Sequence, residues 1–181
     1  MNLLTKSLIL LSSSLLISCT AQDPHKNQAY LKQASPSPVV KPCDKIDGLI
    51  NEYDNNFERI KLKTINNRIS KIWQAKYHLV GHSCQVWAWG SNSTTYACNV
   101  TAPDKETAQT YFEKAKEVTR GCLADDWQMT EQQRNNDKGL KVEFTNKSND
   151  ITIATHMVPT AALFKSEWTV YYYVGSSRQP N

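Results

Sequence analysis

Apolar residues recur along this chain in two rhythms. Between residues 44 and 60, Ile46, Leu49, Ile50, Tyr53, Phe57 and Ile60 fall three or four positions apart, the spacing of an amphipathic helix. Ile65, Ile69 and Ile72 roughly continue the phase through an asparagine-rich stretch, so this helix has no sharp end in the sequence. A second helix is better bounded. Pro103 and Asp104 open it, Arg120 and Gly121 close it with a glycine suited to a left-handed cap, and Ala108, Tyr111, Phe112, Ala115 and Val118 make its apolar stripe. Elsewhere the period is two. Residues 83–90 and 94–101 read as a hairpin turning across Gly90-Ser91-Asn92-Ser93. Residues 140–146, 151–157 and 168–174 read as a three-strand meander, with Lys147-Ser148-Asn149-Asp150 as one turn and Pro159 opening the other connection. The order α-β-β-α-β-β-β predicts an α+β fold: one two-layer domain over residues 43–175, helices on one face of an antiparallel sheet. No internal repeat is visible in the sequence.

The amino terminus follows different rules. Lys6 precedes an apolar run, Leu8 to Leu11 and Leu15 to Ile17, which Ser12, Ser13 and Ser14 interrupt. A bilayer span needs about 20 apolar residues, so residues 1–18 read as an export signal rather than an anchor. The run ends in Leu16-Ile17-Ser18-Cys19, which resembles the lipobox of bacterial lipoproteins. That resemblance covers the signal segment alone. It implies cleavage before Cys19, acylation of its thiol and amine, and firm membrane attachment, since two or more acyl chains hold where one binds marginally. With Thr20 next, it also implies sorting to the outer membrane, facing the periplasm. Residues 19–42 are polar and end in Ser35-Pro36-Ser37-Pro38-Val39-Val40-Lys41-Pro42, an extended tether at about 3 Å per residue. Residues 176–181 read as a flexible C-terminus.

Cysteine usage agrees with export. Of five cysteines, lipidation of Cys19 leaves Cys43, Cys84, Cys98 and Cys122, enough for two disulfides in an oxidising compartment. Cys84 and Cys98 lie symmetrically about Ser91, so the hairpin places them opposite each other. That favours Cys84–Cys98 with Cys43–Cys122 over the rival Cys43–Cys84 with Cys98–Cys122. Loss of Lys6 with the signal lowers the net charge from +4 to +3, too small a surplus to indicate nucleic acid.

Candidate chemistry is thin. His78 and His82 are four apart, but Gly81 and neighbouring strand signals argue against a helix, and the glutamate of a zinc-protease motif is missing. No CxxC pair and no GxSxG elbow occurs. Asp125 and Asp126 are adjacent carboxylates after a helix, where a solvated turn is the ordinary explanation. The expectation is therefore no catalytic residue, no metal and no cofactor.

Aromatic placement is more informative. If Cys84, Val86 and Ala88 face the helices, Trp87 and Trp89 face away. By the same alternation Tyr171 and Tyr173 point outward with Thr152, His156, Lys141 and Glu143. Two tryptophans and two tyrosines on one sheet face suggest a binding surface, unless residues 65–80 fold over them as core. The sequence thus suggests a lipid-anchored envelope protein binding a protein partner, as an inhibitor or immunity protein would. The alternatives are a carbohydrate- or peptidoglycan-binding lipoprotein, or an envelope hydrolase around His78, His82 and Asp125.

Overall fold

The computed structural model describes residues 40–65, 70–89, 93–161 and 166–176. The signal segment, Cys19, nearly all of the tether, the tip of the first hairpin and residues 177–181 lie outside the described residues. From Val40 onward the chain forms one compact unit. Helix α1 (Pro42–Glu52) is followed by a short 3-10 turn (Glu58–Ile60) and strands β1 (Lys61–Ile65), β2 (Lys71–Ala75), β3 (Ser83–Trp89) and β4 (Ser93–Ala102). Helix α2 (Lys105–Cys122) then leads into β5 (Trp127–Gln133), β6 (Leu140–Asn146), β7 (Ile151–Ala161) and β8 (Ser166–Ser176). The result is a mixed α+β fold with one eight-stranded antiparallel sheet and two helices, richer in strand than in helix.

The sheet order is β1-β2-β3-β4-β8-β7-β6-β5. Read with the helices, the chain runs α-β-β-β-β twice, and the two halves meet where β4 pairs with β8 from Tyr96↔Val174 to Ala102↔Trp168. An approximate two-fold repeat of topology is therefore present, although the residues of the two halves show no matching pattern. Three strands were not anticipated. In β1 and β2 the isoleucines sit at intervals that imitate a helix, and the real first helix stops at Glu52. Strand β5 is exposed at every position after Trp127 and polar there except at Met129, so it lacks the alternation that a half-buried strand shows.

Local chemistry explains the ends of the elements. Helix α1 starts at Pro42, and the Asp44 carboxylate accepts the Lys41 N–H at 3.3 Å. Beyond its last turn, Asn56 and Phe57 adopt φ of 54° and 58°, costly for a bulky residue. Complete burial of the Phe57 ring offsets that cost. The buried Glu52 carboxylate fastens the turn by accepting the Arg59 N–H at 3.0 Å. Helix α2 is capped by Asp104, which accepts the Thr107 N–H at 2.7 Å. It buries Ala108, Phe112, Ala115 and Thr119, so the buried stripe is rotated from the predicted one: Tyr111 is exposed and Val118 only half-buried. The Thr119 hydroxyl escapes an unsatisfied state by bonding the Ala115 carbonyl at 2.8 Å and the Tyr172 hydroxyl at 3.0 Å. Gly121 does not take the left-handed cap expected of it; the helix continues to Cys122, which is bonded to Cys43.

The second disulfide joins Cys84 to Cys98, directly opposed in the β3–β4 register, so both bonds follow the favoured pairing. Pro159 lies inside β7, opposite Trp168, rather than in a connection. Strand β6 pairs with β7 only as far as Met157, so at Pro159 the strand has become an edge and the missing donor costs no ladder bond. The core gathers one set of alternating side chains, among them Val86, Tyr96, Phe144, Ile153, Val170 and Tyr172, beneath Ile46, Leu49 and Phe112. Helix α2 packs on β4, β7 and β8, and α1 packs on α2. Among the described residues no helix is long and apolar enough to cross a membrane.

Candidate functional site

The side chains that alternate with the core set define a second face of the sheet. Trp87, Trp89, Tyr171 and Tyr173 stand on it, outside the core cluster. Residues 71–75 do not fold over the tryptophans. They join the sheet as β2, with Ile72 beside Trp87 in register. Trp89 is 43% exposed, and Trp87, Tyr171 and Tyr173 are half-buried.

The four rings form two stacked pairs. Trp87 and Trp89 lie with centroids 5.6 Å apart and planes at 18°, Tyr171 and Tyr173 at 5.9 Å and 9°. Residues two apart on a strand share a face, and here each ring uses its neighbour as packing. Between the pairs runs β4, flanked by β3 and β8. Register sets Thr95 beside Trp87, Ala97 between Gln85 and Tyr173, and Asn99 beside Tyr171. The two pairs therefore lie diagonally across β4, about 10 Å apart across the strands and roughly 14 Å apart along them, with the tryptophans beside Ser93 and Thr95 and the tyrosines beside Ala97 and Asn99.

A polar cluster borders the tyrosine ridge. His156 lies opposite Tyr171 in register and edge-on to the Tyr173 ring, with centroids 5.4 Å apart. Arg134, from the β5–β6 turn, approaches His156 Nδ1 to 3.1 Å through Nη1 and pairs with Asp137 at 3.1 Å. Asp137 in turn accepts the Gly139 N–H at 2.8 Å. Lys141 and Glu143 pair at 2.8 Å on the same face. Burial first, then the Arg134 and Lys141 charges, push the His156 pKa down to about 4, against a smaller opposing pull from Asp137. The imidazole is therefore neutral at pH 7. Because arginine can only donate, Nδ1 accepts and the proton sits on Nε2. That buried Nε2 and the buried Thr152 hydroxyl on the same strand have no hydrogen-bond partner among the described residues. Burial, with the neighbouring Tyr171, raises Tyr173 to about 12, so its hydroxyl stays protonated.

A histidine titrating near 4, with one nitrogen occupied by a guanidinium, is a poor general base at neutral pH. His78 and His82 occupy the exposed loop between β2 and β3. Asp125 and Asp126 occupy the turn after α2, where Asp126 accepts the Asn146 amide at 2.6 Å; the structure does not bring these groups together as a site. Among the described residues no group of three His, Cys, Asp or Glu side chains could hold a metal ion. Sequence reasoning placed His156 on this face without a partner and missed Arg134 and Asp137. Those two sit in the turn of a hairpin whose first strand, polar but for Trp127 and Met129, was not recognised. The chain matches no protein-family model, no curated protein and no solved structure.

Proposed function

We propose that this chain is an exported lipoprotein, fastened through Cys19 to the outer membrane and facing the periplasm, that binds a protein partner through the aromatic face. An inhibitor or immunity protein neutralising an envelope-active enzyme is the specific form favoured here. The finer architecture that goes with it is a two-layer one, with both helices over the core face and the aromatic face left for the partner. Contacts of α2 with β4, β7 and β8 support that arrangement.

The observation that carries the reading is the presence of two stacked aromatic pairs on one sheet face, set diagonally across β4. Tyr and Trp dominate interface hot spots because they offer large rigid contact area. Each ring turns one face to its neighbour and keeps the other, so sugar stacking on these rings is the competing reading.

The test uses tethered wild-type protein and the Trp87→Ala/Trp89→Ala variant to capture partners from native envelopes, with the captured chain then titrated in purified form. Each lost hot spot costs about 2 kcal/mol or more, so affinity should fall at least roughly 30-fold with the thermal midpoint little changed. Unfolding of the variant would make these residues core. Quenching of tryptophan fluorescence by muropeptides, without any protein partner, would favour the sugar reading instead.

A further inference from the structure

The two edges of the sheet are built differently. Edge strand β1 carries a register irregularity between Lys61 and Thr64 and an exposed Lys63, both devices that discourage pairing with another chain. Edge strand β5 carries neither. It runs in unbroken register with β6 from Trp127↔Asn146 to Gln133↔Leu140. Its sequence, Trp-Gln-Met-Thr-Glu-Gln-Gln, has no lysine, proline or glycine. Its one charge, Glu131, pairs with Lys116 at 3.1 Å, a lysine that it shares with Glu113. Met129 stands 40% exposed on it. Among the described residues no strand pairs with its outer side.

The hydrogen-bond phase of that outer side can be read. Arg134 donates its N–H to Gly139 at 3.0 Å, extending the β5–β6 register by one hydrogen-bonded pair. In an antiparallel ladder bonded pairs alternate, so Gln128, Thr130 and Gln132 face β6. Trp127, Met129, Glu131 and Gln133 then turn their backbone groups outward. The Trp127 N–H is already given to the Ala124 carbonyl, which leaves the donors of Met129, Glu131 and Gln133.

We infer that β5 is a self-pairing edge, joining a second copy of this chain antiparallel about a two-fold axis through Thr130. In that register Met129 meets the other copy's Glu131 and exchanges both backbone bonds with it. Trp127 meets Gln133, Gln128 meets Gln132, and Thr130 meets Thr130. All seven residues overlap and no like charges oppose, whereas centring on Glu131 would set two carboxylates against each other and centring on Met129 would leave Gln133 unpaired. Cross-strand Thr–Thr pairs are favourable. The pairing continues the sheet through both copies and sets their aromatic faces on the same side. It does not depend on the identity of any partner.

The register makes a specific test available. Thr130 and its mate form a non-hydrogen-bonded pair, with Cα atoms about 4.5 Å apart, inside the range that a disulfide spans. The purified full chain carrying Thr130→Cys, treated with oxidised glutathione, should give a covalent dimer on non-reducing gels at roughly ten times the yield of Lys63→Cys on the other edge. Wild type should show a dimer mass by light scattering in the micromolar range. Adding Met129→Pro removes one outward donor and no β5–β6 bond, and should reduce the cross-link to the Lys63→Cys level. Equal yields from Thr130→Cys and Lys63→Cys, or a monomer mass with no Thr130→Cys cross-link, would overturn the inference. If Met129→Pro fails to fold, the comparison of the two single cysteines still decides.

Discussion

His156 shows how one side chain can set an acid limit. Its folded pKa of about 4 lies below the ordinary 6.5. Between those values the unfolded chain takes up a proton that the folded chain refuses, so stability falls as pH drops through the window. Thermal midpoints at neutral pH and near pH 5 should therefore separate more widely for wild type than for His156→Gln, which does not titrate. Equal separations would mean that the imidazole is better solvated than its surroundings indicate. Tyr173 sets a weaker limit at the other end. Its folded pKa is raised to about 12 from 10.0, so its contribution holds below pH 10.0 and is lost as pH climbs toward 12. Gly121 offers a gain instead. It lies in the last turn of α2 with a negative φ, and a Cβ there would meet nothing within 4 Å. Gly121→Ala should stabilise the fold by about 0.5–1 kcal/mol, seen as a midpoint rise of roughly 2–4 °C.

At the scale of elements, the β5–β6 hairpin depends on a close approach. A Cβ on Gly139 would collide with the Met157 carbonyl oxygen, a backbone atom that cannot swing aside. Gly139→Ala should cost about 1–3 kcal/mol in urea unfolding and loosen Arg134, which the same turn positions against His156. Elements with a strong internal rhythm were legible in the sequence: both helices, the hairpin with Cys84 opposite Cys98, and the face shared by Trp87, Trp89, Tyr171 and Tyr173. The rest was hidden for identifiable reasons. Ile65 and Ile72 sit opposite one another across β1 and β2, yet their separation in sequence mimics two helical turns. Strand β5 is recognised by its backbone pairing with β6, which leaves no trace in composition. Thr119 is buried although polar, because two hydrogen bonds stand in for water. Arg134 and Asp137 reach the aromatic face only because β5 exists, so the polar half of the candidate site was lost with that strand.

Across the whole molecule the two disulfides differ in reach. Cys43–Cys122 spans a sequence separation of 79 and Cys84–Cys98 one of 14. Loop-closure entropy assigns about 4.5 kcal/mol to the first and about 3 kcal/mol to the second. Replacing Cys43 and Cys122 by alanine should therefore lower unfolding stability more than replacing Cys84 and Cys98, measured in urea on otherwise identical chains. The long bond also ties α1 of one half to α2 of the other, so sulfur reinforces the packing of α1 on α2 and the pairing of β4 with β8. Its position has a mechanical consequence. Helix α1 begins at Pro42, one residue before Cys43. Traction on the amino terminus, as the proposed lipid anchor would transmit it, passes through covalent sulfur into the end of α2. Helix α1 is thereby shielded from being peeled away turn by turn. In single-molecule stretching between the amino terminus and the sheet, the oxidised chain should resist as one body, and the reduced chain should first yield a short early extension from α1.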